Sequence, residues 1–255
     1  MITAGIDVGS ISAKAAIMQD RKLLGASVIL TGYNVQNAGR QVLDRVLSEL
    51  NLSASRIDKI VATGYGRNSI GFADKAVTEI TCHAAGGFFL NPEIRSIIDI
   101  GGQDSKAIVI DKDGRVRDFS MNDKCAAGTG RFLEVMARAL EVDLDAFGEL
   151  SLRAENTASI SSLCTVFAES EVISLISKGA KRENIIAGIH ASIASRVMAM
   201  AKRIGISPPV MMTGGVAKNI GVVKALEEKL DMPVIVSEHA QVNGAIGAAL
   251  IASTV

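Results

Sequence analysis

The fold is decided by two stretches, AGIDVGSISAKAAIM at residues 4–18 and SIIDIGGQDSKAIVI at residues 96–110. Each has an aspartate between apolar residues, then a glycine, a serine, and a lysine seven residues after the aspartate. Each predicts a strand, a glycine turn and a second strand. The matched pair, about ninety residues apart, is an internal repeat that predicts two similar lobes facing each other.

The rest of the chain alternates short apolar runs with helical patterns, which is typical of an α/β fold. Apolar residues at helical spacing predict helices within residues 37–51, 130–140, 167–179, 183–205 and 243–252. We expect the first lobe to comprise residues 1–95 with about 241–255, and the second lobe to comprise residues 96–240.

Composition excludes several classes of protein. Lysine plus arginine and aspartate plus glutamate both number 27, tryptophan is absent and aromatics make up 4%, which argues against nucleic-acid binding. The start, MITAGIDVGS, is unlike a signal peptide, and no run of 18 apolar residues predicts a membrane span. Three widely spaced cysteines do not form a disulfide framework, so we expect a cytoplasmic protein with reduced thiols.

The two glycine hairpins predict a phosphate site. Backbone N–H groups at a glycine turn can approach phosphate closely, and an aspartate at a strand end can hold Mg²⁺ through water. We assign Asp7 and Asp99 to the magnesium–phosphate shell. The predicted phosphate cradle comprises Gly9, Ser10, Ile11, Ser12, Ala13, Lys14, Gly101 and Gly102.

A third glycine loop follows a buried strand in PPVMMTGGVAKN, residues 208–219. We expect Gly214, Gly215 and Lys218 to contact the nucleoside of a bound nucleotide. The sequence contains neither a Walker loop nor the dinucleotide-binding glycine fingerprint.

These motifs, in this order, resemble the actin, Hsp70 and sugar-kinase ATPase superfamily, which implies two ribonuclease-H-like lobes with the nucleotide in the cleft. The stretches at residues 99–110, 121–137 and 161–179 are similar to activators of 2-hydroxyacyl-CoA dehydratases, ATPases of the BadF/BadG/BcrA/BcrD type. The resemblance runs from about residue 5 to residue 249.

The resemblance implies a homodimer with ATP or ADP, Mg²⁺ and one four-iron–four-sulfur cluster shared between the subunits. Its ligands would be Cys125 and Cys164 of each chain. Such a cluster needs four cysteine ligands, and one chain has three cysteines, so two chains or a non-cysteine ligand are required. Both residues precede predicted helices, whose N-termini stabilise thiolate charge.

Other candidate residues receive structural roles. We expect Cys82 to lie in the core and His83 to be a structural histidine with satisfied hydrogen bonds. Glu169 and Glu171 are predicted to be first-turn helix charges or interface charges rather than iron ligands. Gly128 and Gly130 are the predicted hinge.

The activity implied is ATP-driven transfer of one electron from ferredoxin or flavodoxin, through the cluster, to a 2-hydroxyacyl-CoA dehydratase. Gln103 and Asp104 are candidates to orient or activate the attacking water. Three alternatives remain open: an activator of a benzoyl-CoA reductase-type enzyme, a small-molecule kinase without a cluster, and a nucleotide-regulated interaction protein without redox chemistry.

One residue departs from the pattern of these relatives. They commonly have threonine after the Gly-Ser of the first hairpin, and this chain has Ile11 there. A hydroxyl near phosphate is therefore missing at this position, although Ser12 follows it.

Overall fold

The computed structural model describes residues 1–161 and 164–255, and these residues form two five-stranded sheets. The first sheet has the order β3-β2-β1-β4-β5, from β1 Ile2–Val8, β2 Ser12–Gln19, β3 Lys22–Leu30, β4 Lys59–Thr63 and β5 Lys75–Ala76. The second has the order β10-β9-β6-β7-β8, from β6 Ser96–Ile100, β7 Ser105–Ile110, β8 Val116–Asn122, β9 Val210–Thr213 and β10 Val234–Val236.

The two sheets share one topology. Strand β1 is antiparallel to β2 and parallel to β4, and β6 is antiparallel to β7 and parallel to β9. The α/β fold with duplicated lobes, predicted from the repeated hairpins, is therefore confirmed. We retain residues 1–95 with 241–255, and residues 96–240, as the proposed lobe bounds.

Helices cover the two sheets. They are α1 Val35–Glu49, α2 Glu79–Leu90, α3 Gly130–Ala139, α4 Leu144–Ser151, α5 Thr165–Ser177, α6 Arg182–Arg203, α7 Ile220–Leu230 and α8 Asn243–Ala252. Helix α8 is made of small residues because it packs very closely: a Cβ added at Gly5 of β1 would collide with the Ala245 carbonyl oxygen, and one at Gly247 with that of Cys82. Close packing on both sides fixes α8 against β1 and α2.

Helix α6 is the main core helix of the second lobe. Within the described ranges, it alone is long and apolar enough to cross a membrane by length and composition, but 56% of that window is buried inside the protein. Its buried residues Ile189, Ile193 and Val197 join the apolar core beneath the second sheet. The burial of this helix accounts for its apolar composition.

Some elements differ from the sequence prediction. Strands β5 and β10 have two and three residues, too few to give an alternating pattern, and β8 and α4 were also not predicted. Helix α5 begins at Thr165 with Cys164 as its N-cap, so the prediction that Glu169 and Glu171 lie in the first turn is wrong. Glu171 instead accepts hydrogen bonds from the Ser161 backbone N–H and hydroxyl.

Candidate active site

A cavity of about 750 Å³ lies between the two sheets, and the glycine loops of both lobes line it. Most of the predicted nucleotide-site residues meet there: Asp7, Gly9, Ser10, Ile11, Ser12, Lys14, Asp99, Gly101, Gly102, Gln103, Asp104, Gly214, Gly215 and Lys218. Ala13 does not line the cavity. Side chains alternate along β2, so Ala13 points into the core of the first lobe.

The first hairpin leaves its charged groups partly open. Asp7 lies opposite Lys14 in the β1–β2 register, with Lys14 Nζ 3.5 Å from Asp7 Oδ2. Thr63 follows on the neighbouring strand, and its hydroxyl oxygen has no hydrogen-bond partner apart from the weak thiol of Cys82 that faces it. In the described part of the chain, Lys14 is the one ion-pair partner of Asp7, so carboxylate oxygens remain for water or a cation.

The second hairpin compensates its charges internally. Lys106 lies opposite Asp99, and its Nζ is 3.1 Å from Asp99 Oδ2, 2.6 Å from Asp104 Oδ2 and 2.8 Å from Glu79 Oε2. The Lys106 side chain is 1% exposed. Thr213 Oγ1 donates to Asp99 Oδ1 at 2.9 Å, so the threonine beside this aspartate is paired.

The pKa values of this cluster follow from its charges. Burial alone would raise the pKa of Asp99, but His83, Lys106 and the hydrogen bond from Thr213 together hold it well below its usual range. Burial alone would lower the pKa of Lys106, but Asp99, Glu79 and Asp104 raise it well above its usual value. Both groups are therefore charged in the folded protein.

Sequence reasoning missed parts of this cluster. Lys106 was visible in the repeat but received no role, and no sequence signal brings Glu79 of α2 to it. His83 is buried and satisfied as predicted, with Nδ1 3.2 Å from Thr213 Oγ1 and its carbonyl accepting from Asn243 Nδ2 at 3.0 Å. It also lines the cleft, which the sequence did not indicate.

The repeat extends to a second pair of loops. Gly64 after β4 and Gly214 after β9 both have φ +88°, a region that strongly favours glycine. A Cβ at Gly64 would lie 2.5 Å from the Val8 carbonyl oxygen, and one at Gly214 would collide with the Ile100 carbonyl oxygen. The matching Ala-Thr-Gly and Met-Thr-Gly segments could have revealed this pair in the sequence.

Ile11 bridges the two hairpins. A Cβ added at Gly102 would lie 2.6 Å from Ile11 Cδ1 and Cγ1, so the isoleucine side chain packs on the backbone of the second turn. Ile11 thus provides an apolar contact between the lobes in place of a hydroxyl.

The three cysteines have different environments. Cys82 is buried, and burial raises its thiol pKa to about 12. Cys125 is half-buried between β8 and α3, and Cys164 is exposed at the start of α5. Within residues 1–161 and 164–255, no group of three or more His, Cys, Asp or Glu side chains could hold a metal ion.

The cysteine loop is joined to the second phosphate turn by the backbone. The Gly130 N–H donates to the Gly101 carbonyl at 2.9 Å, and the Arg131 N–H donates to the Gly102 carbonyl at 2.8 Å. The start of α3 is thus attached directly to the turn that faces the cavity, five residues after Cys125.

Comparison with known proteins identifies the family. Residues 4–252 match the BadF/BadG/BcrA/BcrD ATPase family. The chain is 54% identical over 253 residues to an activator of lactoyl-CoA dehydratase from Anaerotignum propionicum, covering 99% of this chain and 97% of that protein.

Solved structures agree with this family and with the fold. Component A of (R)-2-hydroxyglutaryl-CoA dehydratase from Acidaminococcus fermentans superposes with a TM-score of 0.96 at 48% identity, covering 100% and 98% of the two chains. The activator of 2-hydroxyisocaproyl-CoA dehydratase from Clostridium difficile, with bound ADPNP, gives 0.94 at 47%, covering 99% and 94%. A ROK family glucokinase from Streptomyces griseus, 14% identical, gives 0.63 over the whole of both chains and shares the fold alone. The chain belongs to the BadF/BadG/BcrA/BcrD ATPase family.

Proposed function

We propose that this ATPase activates a 2-hydroxyacyl-CoA dehydratase by passing it one electron at a time, driven by ATP hydrolysis. The electron donor is a ferredoxin or flavodoxin in the cytoplasm. It passes the electron to a four-iron–four-sulfur cluster held between two copies of the chain. The names of the relatives, dehydratase activators at 48–54% identity, support the partner.

The observation that carries the proposal is the backbone link between the cleft and the cysteine loop. Gly101 and Gly102 face the nucleotide cavity, and their carbonyls accept from the first N–H groups of α3. A change at the phosphate turn is therefore passed to the loop bearing Cys125 without flexible side chains between them. Gly128, with φ +87°, supplies a backbone conformation that few other residues adopt, which suits a hinge.

The residues present fit a cluster shared across a two-fold axis. Cys125 and Cys164 are the two accessible thiols, and two copies supply the four thiolates that such a cluster takes. Beside Cys164, α5 presents an exposed apolar face with Val166 at 66%, Phe167 at 67% and Ile173 at 56% exposure. A second copy packed on this face would cover these side chains and complete the ligand set.

Different residues of the cleft are suited to binding the phosphates, the magnesium ion and the attacking water. Lys14 has no carboxylate closer than 3.5 Å in the described chain and is placed to offset phosphate charge. The open oxygens of Asp7 suit a water-mediated Mg²⁺, which prefers oxygen ligands. Asp104 is paired with Lys106, so exposed Gln103 is the better candidate to orient the attacking water.

Anaerobic purification of cysteine variants tests the proposal. The wild-type protein and the matched control Cys82→Ala should bind iron and sulfide in equal amounts and form dimers. Cys125→Ala and Cys164→Ala should lose the iron while keeping the folded far-UV spectrum, and should not activate a dehydratase with ATP and a reductant. If either variant keeps its full iron and sulfide content, the ligand assignment is wrong.

A further inference from the structure

Cys125 has a charged hydrogen-bond donor on its sulfur. Arg196 Nη1 of α6 donates to Cys125 Sγ at 3.7 Å, a distance suited to the large sulfur atom. A guanidinium keeps its charge throughout the pH range of proteins, and bonds from such a group strengthen when the acceptor is a thiolate. The cleft chemistry described above does not use this residue.

The loop around Cys125 is built to accept this arginine. Gly128 leaves the space through which the side chain passes, because a Cβ there would lie 2.9 Å from Arg196 Cδ. On the other side, Asn122 Nδ2 donates to the Cys125 carbonyl at 2.8 Å and to the Ala127 carbonyl at 3.3 Å. The sulfur is thus presented to Arg196 by a loop held from both sides.

Arg196 is positioned by the core of the second lobe. Its neighbours on α6, Ile193, Ala194 and Val197, are fully or almost fully buried. The guanidinium is therefore carried by a rigid helix, whereas Cys125 is carried by the loop that joins the phosphate turn to α3. The contact therefore connects a core helix of the second lobe to the loop that carries Cys125.

We propose that Arg196 is a positioning residue for Cys125 and sets the reduction potential of the cluster. This inference rests on the proposed function. Reduction adds one electron from the small iron–sulfur or flavin donor, and no bond forms or breaks. The guanidinium stays protonated, so no proton is transferred. A fixed positive charge and hydrogen bond at the sulfur stabilise the more negative, reduced state and raise the potential.

The test compares Arg196→Gln and Arg196→Lys with Arg203→Gln, which removes the same charge from the exposed end of the same helix. The redox midpoint of the reconstituted dimer should become more negative in Arg196→Gln and fall by less in Arg196→Lys. It should match the wild type in Arg203→Gln. Equal midpoints in Arg196→Gln and wild type, with full iron content, would overturn the inference and leave the proposed function intact.

A second measurement needs no cluster. In cluster-free protein, iodoacetamide should label Cys125 several-fold faster in Arg196→Gln because the arginine side chain no longer shields the sulfur. Cys164 in the same molecule should label at the wild-type rate and serves as the internal control. An unchanged labelling rate of Cys125 would show that Arg196 does not shield its sulfur, which would overturn the inference. Faster Cys125 labelling in a protein that never binds iron would support the contact between Arg196 and Cys125 but contradict the proposed function.

Discussion

The two glycine hairpins place an aspartate and a lysine in the same register but leave them in different states. In the first lobe, Lys14 is 14% exposed and 3.5 Å from Asp7. In the second lobe, Lys106 is 1% exposed and contacts three carboxylates. The duplicated backbone therefore supplies one hairpin whose charges are open to a ligand and one whose lysine is held by three carboxylates.

The neighbouring threonines show the same difference. Thr213 donates to Asp99, whereas the Thr63 hydroxyl oxygen has only the Cys82 thiol nearby. The contrast is confined to the threonines and the ion pairs, because the Ser105 hydroxyl of the second hairpin also lacks a hydrogen-bond partner among the described residues. We infer that the charged groups of the first hairpin bind the nucleotide and its cation. The second hairpin passes the resulting movement, through Gly101 and Gly102, to the cysteine loop.

Removing each lysine tests this division with the largest expected effect. Lys106→Met leaves the buried Asp99 and the partly exposed Glu79 and Asp104 without their cation and should lower the free energy of unfolding by about 3–5 kcal/mol. Lys14→Met, the matched change in the first lobe, should lower it by less, because this single ion pair is longer and less buried, but should weaken ADP binding. Urea unfolding and calorimetric titration measure both. Equal losses of stability in the two variants would contradict the inference that the two lysines have different roles.

A buried histidine makes the second lobe sensitive to acid. Burial lowers the pKa of His190 to about 4, against about 6.5 in an unfolded chain. Between these pH values the unfolded state binds more protons than the folded state. The contribution of His190 to the free energy of unfolding is therefore fully present above pH 6.5 and falls by about 3 kcal/mol as the pH drops to 4. Denaturant unfolding across this range should show a flatter profile for His190→Gln. Parallel profiles would exclude His190 as the cause.

The two matched glycines test the symmetry of the lobes. Gly64→Ala and Gly214→Ala each introduce a Cβ at φ +88° against a backbone carbonyl, and each should cost at least about 2 kcal/mol. Gly71→Ala is the control, because a Cβ there meets nothing within 4 Å. A large loss for only one of the first two variants would show that the loops are not equivalent.

Ile11 gives the smallest expected effect and tests the contact between the hairpins. Ile11→Thr removes apolar contact with Gly102 and should destabilise the free protein by about 1 kcal/mol. The new hydroxyl can donate to phosphate, so ADP affinity should rise up to about tenfold, since such a bond contributes about 1.5 kcal/mol. Ile11→Val is the control and should leave affinity unchanged. Weaker ADP binding in Ile11→Thr would contradict this account.

The sequence allowed the fold to be predicted because the duplicated motifs are local. Apolar runs on both sides of a glycine turn predict a hairpin, and the second copy at residues 96–110 implies a second lobe. The cleft residues of these hairpins could be named in the same way. The Thr-Gly pairs at residues 63–64 and 213–214 are a further local signal of the repeat.

Other features could not be predicted because they depend on tertiary contacts. Glu79 reaches Lys106 from a helix of the other proposed lobe, and Ile11 meets Gly102 across the cleft. Arg196 approaches Cys125 from 71 residues away. No local pattern records such pairs, so charge compensation and contacts between lobes emerge only from the three-dimensional structure.

In the proposed mechanism, the nucleotide cleft and the cysteine loop move as one unit. The most direct measurement is the rate at which a chelator removes iron from the reconstituted dimer without nucleotide, with ADP and with a non-hydrolysable ATP analogue. The account predicts rates that differ several-fold among the three conditions. Identical rates, with nucleotide binding verified in the same samples, would contradict it.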